Sequence, residues 1–166
     1  PLPWQRLADC DGVFVTAADG EALRRARQAR VLAATPRLGL EVLATAGVRL
    51  DALIGSGLDP GEVWRQEDLP QPPDWAIRTE GARGGEATPG GRFMAVERRG
   101  PVADTYGAGD SFAAGVTVGL AAGWTLEQAL SLGCHCGAAC VGGDGPYEGQ
   151  LELTPPVPAR PWPRVW

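Results

Sequence analysis

The stretch from Thr105 to Phe112 carries residue types that suit phosphate chemistry. Gly107 and Gly109 leave the backbone open to a ligand because neither has a Cβ. A helix that begins here leaves its first N–H groups without intrahelical acceptors, and these donors, with the helix dipole, attract an anion. Asp110 would lie in the first turn, where it could accept a proton from an attacking hydroxyl. The pattern predicts phosphoryl transfer with Asp110 as the base; the alternative is a plain turn in which Asp110 only caps a helix.

Apolar runs alternate with helix-forming segments ahead of this turn. The predicted strands cover residues 13–16, 31–34, 50–54 and 75–79, and the predicted helices between them cover residues 20–29 and 38–46. Asp19 is the predicted cap of the first helix, and Gly47 the predicted end of the second. Strands that alternate with helices predict right-handed crossovers and a parallel sheet, which binds its ligands at the carboxyl ends of its strands.

The rest of the chain predicts a hairpin and two longer helices. The hairpin covers residues 86–96, and the helices cover residues 108–122 and 126–141, with Thr125 as the cap of the second. Residues 1–153 are therefore predicted to form one domain, and the Pro-rich residues 154–166 a tail that runs over its surface.

Composition limits the classes of partner. The net charge of −5 argues against nucleic acid, whose phosphates require basic faces. The basic run at residues 24–30 is predicted to be the solvated face of a helix. The sequence has no apolar stretch long enough for a membrane span and no secretion signal, so the predicted location is cytoplasmic, without a membrane partner.

A second cluster raises the question of a metal site. Cys134, Cys136 and Cys140 lie close together in the sequence, with His135 among them. A helix would place Cys136 and Cys140 on one face, but it would direct Cys134 elsewhere. Structural packing of a helix rich in small residues is therefore favoured over metal binding and over a disulfide framework.

Residues 104–112, Asp-Thr-Tyr-Gly-Ala-Gly-Asp-Ser-Phe, resemble the second signature of the ribokinase/PfkB family of sugar and nucleoside kinases. Residues 79–85 are similar to that family's strand-end loop near the nucleotide phosphates, and residues 133–145 resemble its last segment, beside adenine and a monovalent cation. The resemblance implies a three-layer αβα, Rossmann-like fold of the ribokinase type. It also implies transfer of the γ-phosphoryl group of ATP, with Mg²⁺, to a hydroxymethyl group of a sugar-like substrate.

The resemblance also implies roles for single residues. Asp110 would be the catalytic base, and the backbone N–H groups of Gly107, Ala108 and Gly109 would form an anion hole for the transferred group. Asp104 would be an oxygen ligand for a monovalent cation such as K⁺, or a group that fixes the loop. The residues implied to contact the nucleotide are Thr79, Gly81, Arg83, Gly84, Gly109 and His135. For His135, a packed helical histidine is an equal alternative.

One segment departs from the family pattern. The family carries Asn-x-x-Glu after the third predicted strand, where its Glu helps to organise Mg²⁺, and this chain has Ser56-Gly57-Leu58-Asp59 followed by Glu62. Asp59 keeps a carboxylate and Ser56 keeps an oxygen, which would allow outer-shell support of Mg²⁺, and Asp59 is the second predicted metal ligand after Asp104. The alternative is a simple turn that ends at Asp59-Pro60.

Nothing in the chain resembles the family's first half, with its Gly-Gly signature and β lid. The expectation is therefore a C-terminal portion that is inactive without the rest and that forms a homo-oligomer or associates with the missing portion. A non-catalytic protein that binds a nucleotide or a partner is the main alternative. A dinucleotide-binding oxidoreductase is disfavoured, because the Gly-rich turn comes late in the chain and lacks Gly-x-Gly-x-x-Gly spacing. The identity of the acceptor is left open.

Overall fold

A single six-stranded sheet organises the chain. The computed structural model describes residues 2–98 and 100–152. The strands are β1 (Gly12–Val15), β2 (Val31–Ala34), β3 (Ala52–Ser56), β4 (Trp75–Thr79), β5 (Gly85–Thr88) and β6 (Gly91–Phe93), and they lie in the sheet in chain order. The first four strands pair in parallel, and the last two continue the sheet as an antiparallel hairpin. The predicted parallel sheet and the predicted hairpin are both confirmed.

The helices are α1 (Gly20–Ala26), α2 (Leu40–Ala46), α3 (Ala108–Ala121), α4 (Leu126–Cys140) and α5 (Gly145–Glu148). Short 3₁₀-helices cover Trp4–Asp9, Pro36–Leu38, Pro60–Glu62, Gln66–Asp68 and Gly81–Arg83. Asp19 caps α1 by accepting the Ala22 N–H at 2.8 Å, and Thr125 caps α4 by accepting the Gln128 N–H at 3.3 Å, as predicted. Gly47 ends α2 in the left-handed region that favours glycine, with φ of 63°.

Side chains that alternate along β2 build two separate cores. Leu32 and Ala34 face α1 and α2, whereas Val31 and Ala33 face α3 and α4. Because helices cover both faces, every residue of β2 is buried. The predicted three-layer αβα, Rossmann-like fold is confirmed.

Glycines bring α3 and α4 close together. A Cβ on Gly119 would lie 2.8 Å from the Ala129 Cα, and a Cβ on Gly133 would lie 2.8 Å from the Phe112 carbonyl oxygen. The first turn of α3 contacts the second half of α4, where a Cβ on Gly137 would lie 3.2 Å from the Ala108 carbonyl oxygen. The antiparallel α3–α4 pair therefore fixes the position of the α3 N-terminus.

Several predicted boundaries were wrong. The first strand covers Gly12–Val15 rather than residues 13–16, the hairpin ends at Phe93 rather than at residue 96, and each long helix ends one residue earlier than predicted. The first helix ends at Ala26 rather than at residue 29, because the Arg27 guanidinium donates to the carbonyls of Ala29 and Arg30, which follow it in the chain. Arg27 also pairs with Asp51 at 2.6 Å, so the basic run is not wholly a solvated face.

The second helix begins at Leu40 rather than at residue 38, because Gly39 has φ of 89° and separates it from the 3₁₀-helix Pro36–Leu38. The third strand covers Ala52–Ser56 rather than residues 50–54, because its ladder with β4 continues to the pair Ser56–Thr79. No helix among residues 2–98 and 100–152 is long and apolar enough to cross a membrane. The predicted tail at residues 154–166 lies outside the described residues.

Candidate active site

The carboxyl ends of β2, β3 and β4 meet at one edge of the sheet because these strands are parallel. Residues 35–37 follow β2, residues 56–62 cover the end of β3 and its loop, and residues 79–85 follow β4. The Gly57 N–H donates to the Thr79 carbonyl at 2.8 Å, so the last two of these loops are in direct contact. The edge thus gathers the predicted nucleotide loop and the segment that departs from the family pattern.

The turn before α3 leaves the start of that helix open. Gly107 is its N-cap, with φ of 81°, and no side chain caps the helix by a hydrogen bond. A Cβ on Gly109 would meet no atom within 4 Å. Asp110 is exposed in the first turn. Among the described residues, the Ala108 N–H donates to the Thr105 carbonyl at 3.3 Å, whereas no acceptor is found for the N–H groups of Gly107 and Gly109. The helix N-terminus therefore combines two free backbone donors, open space and a carboxylate, and its predicted role as an anion hole stays a prediction.

Asp104 fixes this turn from within. Its carboxylate accepts the Tyr106 N–H at 2.9 Å and the Gly145 N–H at 3.2 Å, and these bonds hold the pKa of Asp104 below its usual range. Gly107 packs against Pro146 so closely that a Cβ would lie 2.5 Å from the proline Cβ. Asp104 was predicted either to bind a monovalent cation or to fix the loop, and these hydrogen bonds favour the second role.

The loop after β4 exposes backbone to the same edge. The Glu80 N–H donates to the Gly84 carbonyl at 2.7 Å and closes the loop around the 3₁₀-helix Gly81–Arg83. Gly81 has φ of 61°, and a Cβ there would meet no atom within 4 Å. Gly84 has φ of 85°, and its Cβ would lie 2.7 Å from the Ala95 nitrogen, so only glycine fits there.

Arg83 and Arg92 flank this loop through Glu80. Arg92 lies 3.0 Å and Arg83 lies 3.6 Å from the Glu80 carboxylate. Hydrogen bonding to Arg92, together with the charge of Arg83, lowers the pKa of Glu80. Arg83 is largely exposed, and its predicted contact with the nucleotide stays a prediction.

The end of β3 is closed by internal partners. The buried carboxylate of Glu62 accepts the Ser56 N–H at 2.7 Å through Oε2 and the Arg37 Nε–H at 2.6 Å through Oε1. A Cβ on Gly55 would lie 2.7 Å from Glu62 Oε2, so glycine in β3 makes room for this carboxylate. The Ser56 hydroxyl accepts the Leu58 N–H at 3.1 Å.

Asp59 is also engaged. Its Oδ1 accepts the Gly61 N–H at 2.8 Å and caps the 3₁₀-helix Pro60–Glu62, while its Oδ2 accepts from Arg37 Nη2 at 2.6 Å. Both oxygens of the predicted metal ligand therefore have protein donors. A magnesium ion at Asp59 would have to compete with Arg37 and Gly61 for these oxygens, and the predicted role as a metal ligand stays a prediction.

Arg37 joins the loop after β2 to the segment after β3, through Asp59 and Glu62. The hydrogen bond to Glu62, followed by the charges of Glu62, Asp59 and Asp110, raises the pKa of Arg37. Asp110 makes the smallest of these contributions. The sequence reasoning missed Arg37; the available signal was its position three residues after β2, at the carboxyl edge where ligands bind.

His135 lies on the outer face of α4. Its Nδ1–H donates a hydrogen bond to the Ser131 carbonyl oxygen at 2.8 Å. Its ring is exposed beside Trp124 and Gln128 at a shallow surface cavity. The contacts of the described residues do not join His135 to the α3 N-terminus. Its predicted contact with adenine stays a prediction.

The clustered cysteines contact separate parts of the fold. Cys134 lies against the Met94 carbonyl and Cys140 against the Tyr106 carbonyl, while Cys136 faces Gly115. Burial raises the pKa of Cys134 and of Cys136, which keeps both thiols protonated. No group of three or more potential metal ligands occurs in the part of the chain that the structure describes.

The family model for pfkB family carbohydrate kinases matches residues 66–152, which is more than half of the chain. The chain belongs to the pfkB family of carbohydrate kinases. The match includes the loop after β4, the turn at Gly107 and both long helices. A search of curated proteins gave no match.

Solved structures of the pfkB type share the fold. A probable sugar kinase from Rhizobium etli CFN 42 matches with a TM-score of 0.67 and 19% identity over 87% of this chain and 52% of that chain. The adenosine kinase from Sinorhizobium meliloti matches with a TM-score of 0.66 and 21% identity, over 87% and 53%. The ribokinase from Cryptococcus neoformans var. grubii serotype A, solved with ADP, matches with a TM-score of 0.61 and 23% identity, over 79% and 51%. The chain thus spans about half the length of these structures.

Proposed function

We propose that this pfkB-family chain carries the phosphoryl-transfer half of an ATP-dependent sugar or nucleoside kinase, with Asp110 as the base. The observation that carries this proposal is the α3 N-terminus, where an exposed carboxylate stands beside uncapped backbone donors and an open glycine. A carboxylate is a poor neighbour for a phosphate unless it takes up a proton during the reaction.

In the proposed reaction, Asp110 accepts the proton of an acceptor hydroxyl as the alcohol oxygen attacks the γ-phosphorus of ATP. The bond from that phosphorus to the bridging oxygen breaks, and ADP leaves. The backbone N–H groups of Gly107 and Gly109 would stabilise the charge on the transferred group, joined by that of Ala108 if it leaves the Thr105 carbonyl. Their dipoles are fixed before the reaction because Asp104 and Pro146 hold the turn.

Two structural features support ATP as the phosphoryl donor. The loop of Gly81 and Gly84 turns its backbone outward at the same sheet edge, with Arg83 beside it, and glycine N–H groups with an arginine suit phosphates. ADP is the ligand in the Cryptococcus neoformans ribokinase structure. His135 and Thr79 are proposed to contact the nucleotide as well, the first at adenine.

The acceptor is proposed to be a small molecule with a primary hydroxyl, of the sugar or nucleoside class. The Rhizobium etli and Sinorhizobium meliloti structures are described as a sugar kinase and an adenosine kinase. Residues that choose between such acceptors are expected to lie in the part of the relatives that this chain does not span. The proposed assembly is one in which that part, or a second copy, covers the free edge of β1.

The test compares wild type with Asp110→Asn in the longest natural form of the protein. ADP release is measured with ATP, Mg²⁺ and a panel of sugars and nucleosides. Asp110→Asn should lower kcat by about 10²–10⁴-fold, because a general base contributes that much, while ATP affinity should change little. Asp9→Asn, the same change at an exposed aspartate in the 3₁₀-helix before β1, serves as the control.

A non-catalytic nucleotide-binding or partner-binding protein is the alternative. The observation that favours it is the engagement of Asp59 by Arg37 and Gly61 in the segment where the family organises Mg²⁺. Under this alternative, wild type and Asp110→Asn bind ATP equally well, and neither phosphorylates any acceptor of the panel.

A further inference from the structure

Arg37 forms ion pairs with both Asp59 and Glu62 near the end of β3, and these three residues are called the Arg37 cluster below. Arg37 reaches both carboxylates at 2.6 Å, through Nε to Glu62 and through Nη2 to Asp59. Bonds of this length between charged partners are at the strong end of protein hydrogen bonds. A guanidinium suits this task because its donors are planar and its charge is permanent.

The cluster is built into the fold. The Glu62 side chain is only 7% exposed, and it also holds the Ser56 N–H at the end of the strand. Gly55 leaves the space that this carboxylate occupies, and Pro36 lies against the same position. Arg37 and Glu62 are therefore placed by different loops, one after β2 and one after β3, and they meet only because the strands are parallel.

The positions of the two carboxylates pose a problem for metal binding. They lie in the segment that would organise a divalent cation, yet the four carboxylate oxygens accept from Arg37, Ser56 and Gly61. A divalent cation would have to displace short charged bonds and then stand beside a positive guanidinium. Magnesium gives up its own water reluctantly, which makes such a displacement unfavourable.

We propose that Arg37 is a built-in counter-ion that occupies the place of a divalent cation between Asp59 and Glu62 and keeps such ions off both carboxylates. This inference concerns the chain without nucleotide, and it holds or fails independently of the proposed kinase activity.

The test measures binding of Mn²⁺, an ion that favours oxygen ligands, to the chain without nucleotide by the loss of the free-ion EPR signal. The variants are wild type, Arg37→Gln, Arg37→Gln combined with Asp59→Asn, and Arg92→Gln. The last variant is a matched control, because Arg92 is also an exposed arginine paired with a carboxylate. Thermal unfolding of each variant is followed by circular dichroism to establish that it is folded.

Arg37→Gln should bind Mn²⁺ roughly tenfold more tightly than wild type, because the repulsion is lost and two carboxylates are released. Adding Asp59→Asn should remove the gain, and Arg92→Gln should bind as wild type does. Equal binding by folded Arg37→Gln and wild type would overturn the proposal.

A second comparison does not depend on the folding of any Arg37 variant. Asp59→Asn alone should leave the Mn²⁺ affinity of the chain unchanged, because Arg37 already occupies that carboxylate. A several-fold weaker affinity in Asp59→Asn would mean that the ion binds Asp59 in the presence of Arg37, and the proposal would be wrong.

Discussion

The N-terminus of α3 and the end of β3 differ in how many of their backbone N–H donors find an acceptor within the protein. At the end of β3, the Ser56 N–H is bound by a buried carboxylate, which is itself bound by Arg37. At the start of α3, no side chain caps the helix, and the Gly109 backbone faces open space. The end of β3 satisfies its donors within the fold, and the start of α3 leaves the N–H groups of Gly107 and Gly109 without an acceptor among the described residues.

This difference indicates which region is prepared for chemistry. Backbone donors without partners cost stability, and folds keep them where a ligand supplies the missing acceptor. The α3 N-terminus keeps them beside Asp110, within a turn that Asp104 and Pro146 hold rigid. The end of β3 has the features of a support, so substitutions there should change stability first, and substitutions at the turn should separate stability from ligand binding.

The largest effect is expected within the turn, from the pair Gly107→Ala and Gly109→Ala. Gly107→Ala should lower the free energy of unfolding by about 3 kcal/mol, through left-handed backbone strain and overlap with Pro146. Gly109→Ala should leave stability within about 1 kcal/mol of wild type, or raise it, because alanine favours helix. Urea denaturation measures both variants.

The same pair tests the anion site. Gly109→Ala should still weaken ATP binding, measured by calorimetry in the longest natural form, because the new methyl group stands in the open space beside the N–H donors. If Gly109→Ala binds ATP as wild type does, the phosphate lies elsewhere, and the contrast between the two regions loses its functional meaning.

A smaller loss of stability is expected at the end of β3. Glu62→Ala should lower the free energy of unfolding by about 2 kcal/mol, because the Ser56 N–H and Arg37 lose a charged acceptor. Glu67→Ala, at a nearby exposed position, should stay within about 0.5 kcal/mol of wild type in the same urea titration. Equal stability of the two variants would show that the hydrogen bonds of Glu62 to Arg37 and Ser56 do not stabilise the fold.

The smallest effect concerns Asp104 and its pH dependence. Its pKa is lowered in the folded protein, so its stabilising effect is present above the ordinary value of 3.8 and is lost as the pH falls through the folded value below it. The Tm of Asp104→Asn should therefore lie below that of wild type at neutral pH, and the gap should narrow below about pH 4. A gap that stays constant over a pH series would contradict the hydrogen bonds to Tyr106 and Gly145.

Much of the fold could be predicted because its signals are local. The apolar runs, the caps Asp19 and Thr125, and the stop at Gly47 depend on neighbours within a turn or two. Boundaries were less predictable where a distant partner decided them. Arg27 ends α1 by binding carbonyls beyond the helix, and β3 reaches Ser56 because β4 continues beside it.

The candidate site also has one part that depends on local sequence and one part that depends on distant residues. The sequence by itself determined the open turn at Gly107 to Asp110, because the glycines, the carboxylate and the helix that follows are all contiguous in the chain. The Arg37 cluster was decided only by the tertiary structure. Arg37 and Glu62 come from different loops, and parallel strands bring them within 2.6 Å of each other. A pairing of that kind leaves no mark in local sequence, because its free energy depends on the distance between two chain segments that only the folded sheet places side by side.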